Sequence, residues 1–343
     1  MSTRIIATIG PKSESAEDLL ALLKAGVDMV RVNFSHATYE QYKRIQKIIN
    51  KFNEDSDRRV SLMLDLQGPR IRVGQMPADG IVMLEGENYR FIYSQKPYKK
   101  KGDLISIDSI DLYQDIKKGE MLFLCNGAIE LRVTEVKNKI ISATVINGGV
   151  LSSRKGINVP DTNIKKGGMT AKDLRDAKFG VKAGMDYIAL SFVQTANDVL
   201  RLRKILGKNS KVKIISKIER GIALKNIDQI ISVSDAIMVA RGDLGIEVPI
   251  EDLPIIQKNL VRHAHWHDRP AIIATQVMTS MIKNPHPTRA EISDIANAVF
   301  DGADMVMLSD ETTVGDYPVE AVKILKKVID RTEKNIYKGN VIN

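Results

Sequence analysis

The chain has 343 residues, with 51 Lys and Arg against 42 Asp and Glu. That is the length of two ordinary domains, or of one large α/β barrel with an insertion. Its 43% hydrophobic and 27% charged content excludes intrinsic disorder, and no apolar run reaches the roughly 18 residues of a membrane span. The apolar part of the first ten residues is too short for a signal peptide. Cys125 has no second cysteine to pair with, so a soluble chain in a reducing cytoplasm is expected. The net charge of +9 is spread along the sequence, apart from the cluster at 96–101, and only 5% of residues are aromatic. Few stacking platforms exist for bases. Anionic small molecules are the expected partners, with no nucleic acid and no membrane.

Short apolar runs alternate with helical periods along the chain, the mark of βα units. A strand is predicted over 5–9, a helix over 16–24, a strand over 29–33, a helix over 39–52 and a strand over 60–65. The rhythm resumes with a helix over 171–183, a strand over 187–191, a helix over 197–206 and strands over 212–217 and 236–240. It ends with a helix over 250–267, a strand over 270–275, a helix over 289–300 and a strand over 305–309. Thr288-Arg289-Ala290-Glu291 reads as a capping box for that last helix. Eight such units point to a closed (β/α)8 barrel, although a doubly wound sheet gives similar local signals.

The interval between the third and fourth strands carries no helical period. Met121–Leu124 and Ile129–Val133 flank Asn126-Gly127, a strong hairpin cue. An all-β lid domain inserted after strand 3 is expected, with the barrel over 1–72 and 169–343 and the lid over 73–168. Gly167-Gly168 at its exit could serve as a hinge.

Barrel enzymes place their chemistry at the C-terminal ends of strands. Here those ends carry Arg31, Asn33, Asp65, Ser191, Lys217, Glu219, Asp243, Thr275, Ser309 and Glu311. In Lys217-Ile218-Glu219 an ammonium and a carboxylate project from one face of a strand. They read either as a buried ion pair closing the barrel or as a metal-binding carboxylate beside an anion-stabilising cation. Arg241-Gly242-Asp243-Leu244-Gly245 offers a second carboxylate, with glycines suited to a tight turn; an ordinary loop with a helix-capping Asp is the plainer reading. Two carboxylates on neighbouring strand ends suit Mg²⁺, or Mn²⁺ in its place. No Walker or Rossmann glycine motif occurs, and the protein-kinase motifs are also missing. His263 and His267 lack an intervening Glu, and Trp266 beside them suggests packing rather than metal ligation. Ser13, Ser35 and Ser309 have no His at triad spacing. Cys125 is expected to be a small buried hydrophobe.

Taken together, the fragments resemble pyruvate kinase from the first strand to the eighth barrel helix. The likeness rests on Thr8-Ile9-Gly10-Pro11, Arg31-Val32-Asn33-Phe34-Ser35-His36, Ile215–Glu219, Ile237–Gly245, Ala274-Thr275-Gln276, Asn284–Glu291, Asp301–Asp304 and Tyr317–Val322. The resemblance implies phosphoryl transfer from phosphoenolpyruvate to ADP, giving pyruvate and ATP at the last step of glycolysis. By the same likeness, Glu219 and Asp243 would hold the divalent metal. Lys217 would neutralise the phosphoryl group and the enolate, and Arg31 would grip the phosphate. The Gly242–Asp243 backbone would bind the carboxylate, and Thr275 would lie on the proton-transfer side. Asn33, Ser35, His36, Arg72 and Lys155 match nucleotide-side positions for ADP or ATP.

The sequence departs from the family pattern at four places. The usual Asp-Thr-Lys-Gly-Pro-Glu-Ile-Arg is replaced by Asp65-Leu66-Gln67-Gly68-Pro69-Arg70-Ile71-Arg72. Leu66 offers no side-chain oxygen to K⁺. Losing the Lys and exchanging Glu for Arg leaves the segment one positive charge richer, so Arg70 is expected to substitute for the monovalent cation and K⁺ is not required. Cys125-Asn126-Gly127 stands where the lid usually has Asp-Asp-Gly, and Ser309-Asp310-Glu311 replaces Ser-Gly-Glu. With the chain ending at Asn343, the C-terminal domain and its sugar-phosphate site are expected to be missing, leaving barrel faces for any homo-oligomer. A catalytically weak homologue that binds a ligand or partner, and a barrel lyase acting on pyruvate or phosphoenolpyruvate, are the alternatives.

Overall fold

A computed structural model describes residues 2–164, 168–207 and 210–338. Gly167, half of the expected hinge pair, lies outside them; Gly168 adopts a φ of +117°. Eight parallel strands close into a barrel. We number them β1 (Arg4–Thr8), β2 (Met29–Asn33), β3 (Ser61–Asp65), β4 (Tyr187–Leu190), β5 (Lys213–Ile218), β6 (Ala236–Ala240), β7 (Ala271–Ala274) and β8 (Met305–Leu308). Each pairs in parallel with its sequence neighbours, and β8 returns to β1 through pairs such as Ile5 with Val306. The doubly wound alternative is thereby excluded.

Strand alternation sorts the apolar side chains into two cores. Ile6, Met29, Met63, Ala189, Ile215, Met238, Ile272 and Met305 fill the barrel interior. Their outward neighbours, such as Ile5, Val30, Leu62, Ile214 and Val239, pack beneath the helices. Methionine is unbranched and adaptable, which suits a narrow, tapering interior. The Thr288 capping box forms as expected: Thr288 N–H donates to Glu291 and Glu291 N–H to Thr288 Oγ1, opening the helix Arg289–Phe300.

The insert is built on a seven-stranded sheet. That sheet begins at the strand Ile71–Arg72, which pairs with Gly156–Asn158, two residues before the expected boundary. A bridge between Val73 and Ile107 ties its two edges. The hairpin cue is realised: Met121–Leu124 pairs antiparallel with Ile129–Lys137, and Cys125, Asn126 and Gly127 turn the chain through positive φ values of 53°, 58° and 87°. One helical turn, Leu112–Asp115, interrupts an otherwise all-β insert. Cys125 is only half-buried, contrary to expectation, because it lies in this turn and not in the sheet's core. No helix among the described residues is long and apolar enough to cross a membrane.

Candidate active site

The site follows from the alternation of the strands. Two residues beyond Ile6, Met29, Met63, Ala189 and Ile215 stand Thr8, Arg31, Asp65, Ser191 and Lys217, so the apolar interior is capped at its C-terminal mouth by a polar layer. Asp65 is its centre. Its Oδ2 accepts from Arg31 Nε and lies 2.7 Å from Arg31 Nη2, while its Oδ1 lies 3.2 Å from Lys217 Nζ. Arg31 also donates to Thr8 Oγ1 at 2.9 Å. Lys217 Nζ donates to Ser191 Oγ at 2.8 Å and lies 2.9 Å from Glu219 Oε1. The side-by-side projection expected of Lys217 and Glu219 is thus observed.

Charge balance tunes these groups. Burial pushes the Asp65 carboxyl up, but Lys217 and Arg31 outweigh it and hold the group below its ordinary range. Burial works against the Lys217 charge, yet Asp65 and Glu219 together raise its affinity for the proton. The Glu219 carboxyl is raised, first by burial and also by the nearby charge of Asp243, against the pull of Lys217. Glu219 Oε2 accepts the Phe192 N–H at 2.6 Å. Phe192 holds a left-handed φ of +56°, a strained value for an aromatic residue. Gly68 passes so close to this turn that a Cβ would lie 2.7 Å from both Ser191 and Phe192.

The segment expected to be a tight turn is a helix, Arg241–Glu247, which carries both Gly242 and Asp243. Tertiary bonds override the low helix propensity of its glycines. Arg241 reaches the carbonyls of Thr275 and Gln276 at 2.9 and 3.1 Å and chelates both oxygens of Asp294 at 2.8 and 2.7 Å. Thr275 and Gln276 both adopt left-handed backbone, with φ of +66° and +54°. For a β-branched residue this is an outlier, and Arg241 bonds the carbonyls of both residues. The Gly242 N–H, assigned above to a carboxylate, donates to Thr275 Oγ1 at 2.7 Å. A Cβ at Gly242 would lie 3.2 Å from that same oxygen, a tight contact to which Thr275 would have to yield by a few tenths of an ångström.

Arg70 spans the rim. Its Nη2 lies 3.5 Å from Asp243 Oδ1 and donates to Asn126 Oδ1 in the insert's turn at 3.1 Å. On the other side of the mouth, Asn33 Oδ1 accepts the Ser35 N–H at 3.0 Å, fixing the turn that leads to exposed His36. Arg72 donates to Arg154 O at 3.1 Å, and Lys155 is exposed. No hydrogen bond or ion pair among the described residues joins Asn33, Ser35 and His36 to these two. Glu311 is a brace: its oxygens accept from Met278 N–H and Ser309 N–H at 2.9 and 2.8 Å. His263 and His267 both contact Asp228 Oδ1, at 2.7 and 3.3 Å. Trp266 touches the His263 ring but is 74% exposed, so it does not pack as expected.

Among the described residues no cluster of three or more His, Cys, Asp or Glu could hold a metal. The oxygen-only pair Glu219 and Asp243, near enough that the charge of Asp243 helps raise the Glu219 carboxyl, suits a hard cation that fills its shell with substrate oxygens and water.

The family model for the pyruvate kinase barrel domain matches residues 1–322. The chain belongs to the pyruvate kinase family. It is 42% identical over 99% of its length to a pyruvate kinase of Geobacillus stearothermophilus, spanning 58% of that protein. Pyruvate kinases of Thermococcus litoralis and Thermotoga maritima are each 40% identical over 97% and 98% of the chain, which spans 70% and 72% of theirs. The chain therefore spans little more than half the length of the first of these pyruvate kinases.

Two groups central to this site had no role assigned from sequence: Asp65, seen only as a strand-end carboxylate, and Arg241, seen only as part of a loop. The position of Asp65 two residues beyond Met63 was a usable signal. Arg241 offered none, since its partners lie 34 and 53 residues away.

Proposed function

We propose that this chain transfers a phosphoryl group from phosphoenolpyruvate to ADP, releasing pyruvate and ATP, in the cytoplasm, where a lone thiol such as Cys125 stays reduced. The observation that carries the reading is the polar layer at the barrel mouth, where Lys217 is held by Asp65, Ser191 and Glu219. Phosphoryl transfer needs little covalent work from a protein and much preorganised charge.

In this reading Glu219 and Asp243 hold Mg²⁺ or Mn²⁺, which draws charge from the phosphoryl oxygens and the carboxylate when bound. Lys217 neutralises the phosphoryl group in flight and the enolate it leaves behind. Its rigid partners mean that no reorganisation is needed at that moment. Arg31 grips the phosphate from the opposite side of Asp65. The Gly242–Asp243 backbone receives the substrate carboxylate, with the Gly242 N–H passing from Thr275 to the substrate. Thr275 lies on the face where the enolate carbon gains its proton. Asn33, Ser35, His36, Arg72 and Lys155 receive the nucleotide. Closure of the insert over the mouth excludes water, so the phosphoryl group reaches ADP.

Arg70 stands in for K⁺ in this proposal. Its guanidinium lies 3.5 Å from Asp243, which puts a fixed positive charge at the rim. The test is pyruvate formation from phosphoenolpyruvate, ADP and Mg²⁺ in Na⁺ and in K⁺ buffers, with Lys217→Met as control. The proposal expects equal rates in the two salts and loss of activity in the variant. Strong K⁺ activation refutes the Arg70 assignment alone. Absence of ADP-dependent product in either salt refutes the activity.

A further inference from the structure

A second buried ion pair lies just outside the mouth. Arg220 directly follows Glu219, and its Nε donates to Glu247 Oε2 at 2.9 Å. The two side chains are 7% and 0% exposed. The other arm of the guanidinium donates to Val159 O at 3.0 Å and Thr162 O at 2.9 Å, both on the chain returning from the insert. The second oxygen of Glu247 accepts from Asn158 Nδ2 at 3.3 Å. Asn158 closes the sheet strand Gly156–Asn158, and Glu247 closes the helix that carries Gly242 and Asp243.

One ion pair therefore joins three parts: the residue beside Glu219, the helix of Asp243, and the return segment of the insert. A buried pair of this kind is a weak source of net stability. It is, however, a rigid link, because a planar guanidinium fixes the relative positions of all its acceptors. The turn of the insert also comes near the same helix. A Cβ built on Gly127 would lie 3.5 Å from Ile246 Cγ2.

We propose that Arg220 and Glu247 are positioning residues that form a hinge clamp. Through them the seating of the insert and the relative placement of Glu219 and Asp243 are set together, so that an insert seated over the mouth gives the tighter metal grip. The proposal rests on the phosphoryl-transfer reading above for its catalytic consequence, but its geometry does not depend on it.

The test uses the full chain with Arg220→Met, Arg220→Lys and Glu247→Gln. Mn²⁺ binding is read from the electron paramagnetic resonance signal of the free ion. Insert seating is read from the rate at which Cys125, the chain's one thiol, reacts with a neutral aromatic disulfide, with and without Mn²⁺ and phosphoenolpyruvate. The clamp predicts Mn²⁺ binding weakened by about 10- to 100-fold in Arg220→Met and Glu247→Gln. It also predicts faster Cys125 reaction and a fall in kcat larger than the rise in KM for phosphoenolpyruvate. Arg220→Lys keeps the charge but cannot reach all three acceptors, and recovers part of each. If Arg220→Met does not fold, Arg220→Lys decides. Folded variants with the parent's Mn²⁺ affinity and thiol rate, differing only in melting temperature, overturn the clamp. A parent that binds Mn²⁺ and protects Cys125 but makes no ATP overturns the activity and leaves the clamp standing.

Discussion

Asp65 holds Lys217 at 3.2 Å while its other oxygen holds Arg31 at 2.7 Å, so one buried carboxylate orients both of the cations that face the transferring phosphoryl group in the proposed reaction. Asp65→Asn keeps the shape and removes the charge, leaving two buried cations without their shared partner. A loss of about 3–5 kcal/mol in stability is expected, read by urea unfolding, together with a fall in kcat. An Asp65→Asn variant with parental stability and turnover would show that Lys217 and Arg31 are oriented by other groups.

Arg70 is expected to carry the part that a monovalent ion plays elsewhere. Arg70→Gln should lose about tenfold or more in kcat/KM, the scale of one lost charged hydrogen bond. Leu66→Thr combined with Arg70→Glu should then respond to added K⁺, where the parent does not. Rates measured across a K⁺ titration at constant ionic strength check both. A double variant indifferent to K⁺ would mean that Arg70 is only a tether between Asp243 and Asn126.

Thr275 gives a sharper separation of roles. Thr275→Val removes the oxygen that accepts the Gly242 N–H, and a fall in kcat of about 10²-fold is expected, the low end for a group positioned for proton transfer. Exchange of pyruvate methyl protons with solvent, followed by nuclear magnetic resonance, should slow in parallel. Thr275→Ser keeps the oxygen and should keep most of both. Equal behaviour of the Val and Ser variants would remove Thr275 from the proton path.

The capping box offers a pH test away from the mouth. Burial pushes the Glu291 carboxyl up, but hydrogen bonds from Ser280 and Thr288 outweigh it and hold the group below its ordinary value of 4.5. The unfolded chain therefore takes up this proton at a higher pH than the folded one. The stabilisation is complete above pH 4.5 and is lost as pH falls through the depressed value. Glu291→Gln should be less stable than the parent by about 1 kcal/mol at neutral pH, and the gap should close on acidification. Denaturant midpoints at several pH values check the sign; a gap that widens in acid contradicts it.

The readable parts of this molecule are those governed by local periodicity. Alternation along the strands placed Arg31, Asp65 and Lys217 at one mouth, since each stands two residues past an interior Met or Ile. The capping box at Thr288 and the turn at Asn126 were likewise local signals. The helix Arg241–Glu247 was not readable, because Gly242 and Gly245 disfavour a helix and its support comes from Thr275, Gln276 and Asp294. The left-handed backbone of Thr275 runs against its β-branched side chain. Arg220 and Glu247 are 27 residues apart, and nothing in either neighbourhood announces the other. Chain-distant partners escape any reading that works by spacing.

The most direct test of the central claim follows the phosphorus atom. Phosphoenolpyruvate, ADP and Mg²⁺ are mixed with the purified chain, and the reaction is watched by ³¹P nuclear magnetic resonance. The account predicts that the phosphoenolpyruvate signal is replaced by the three resonances of ATP, with no free phosphate, and that Lys217→Met leaves the spectrum unchanged. Release of inorganic phosphate, or a spectrum that never changes with the parent chain, would contradict it.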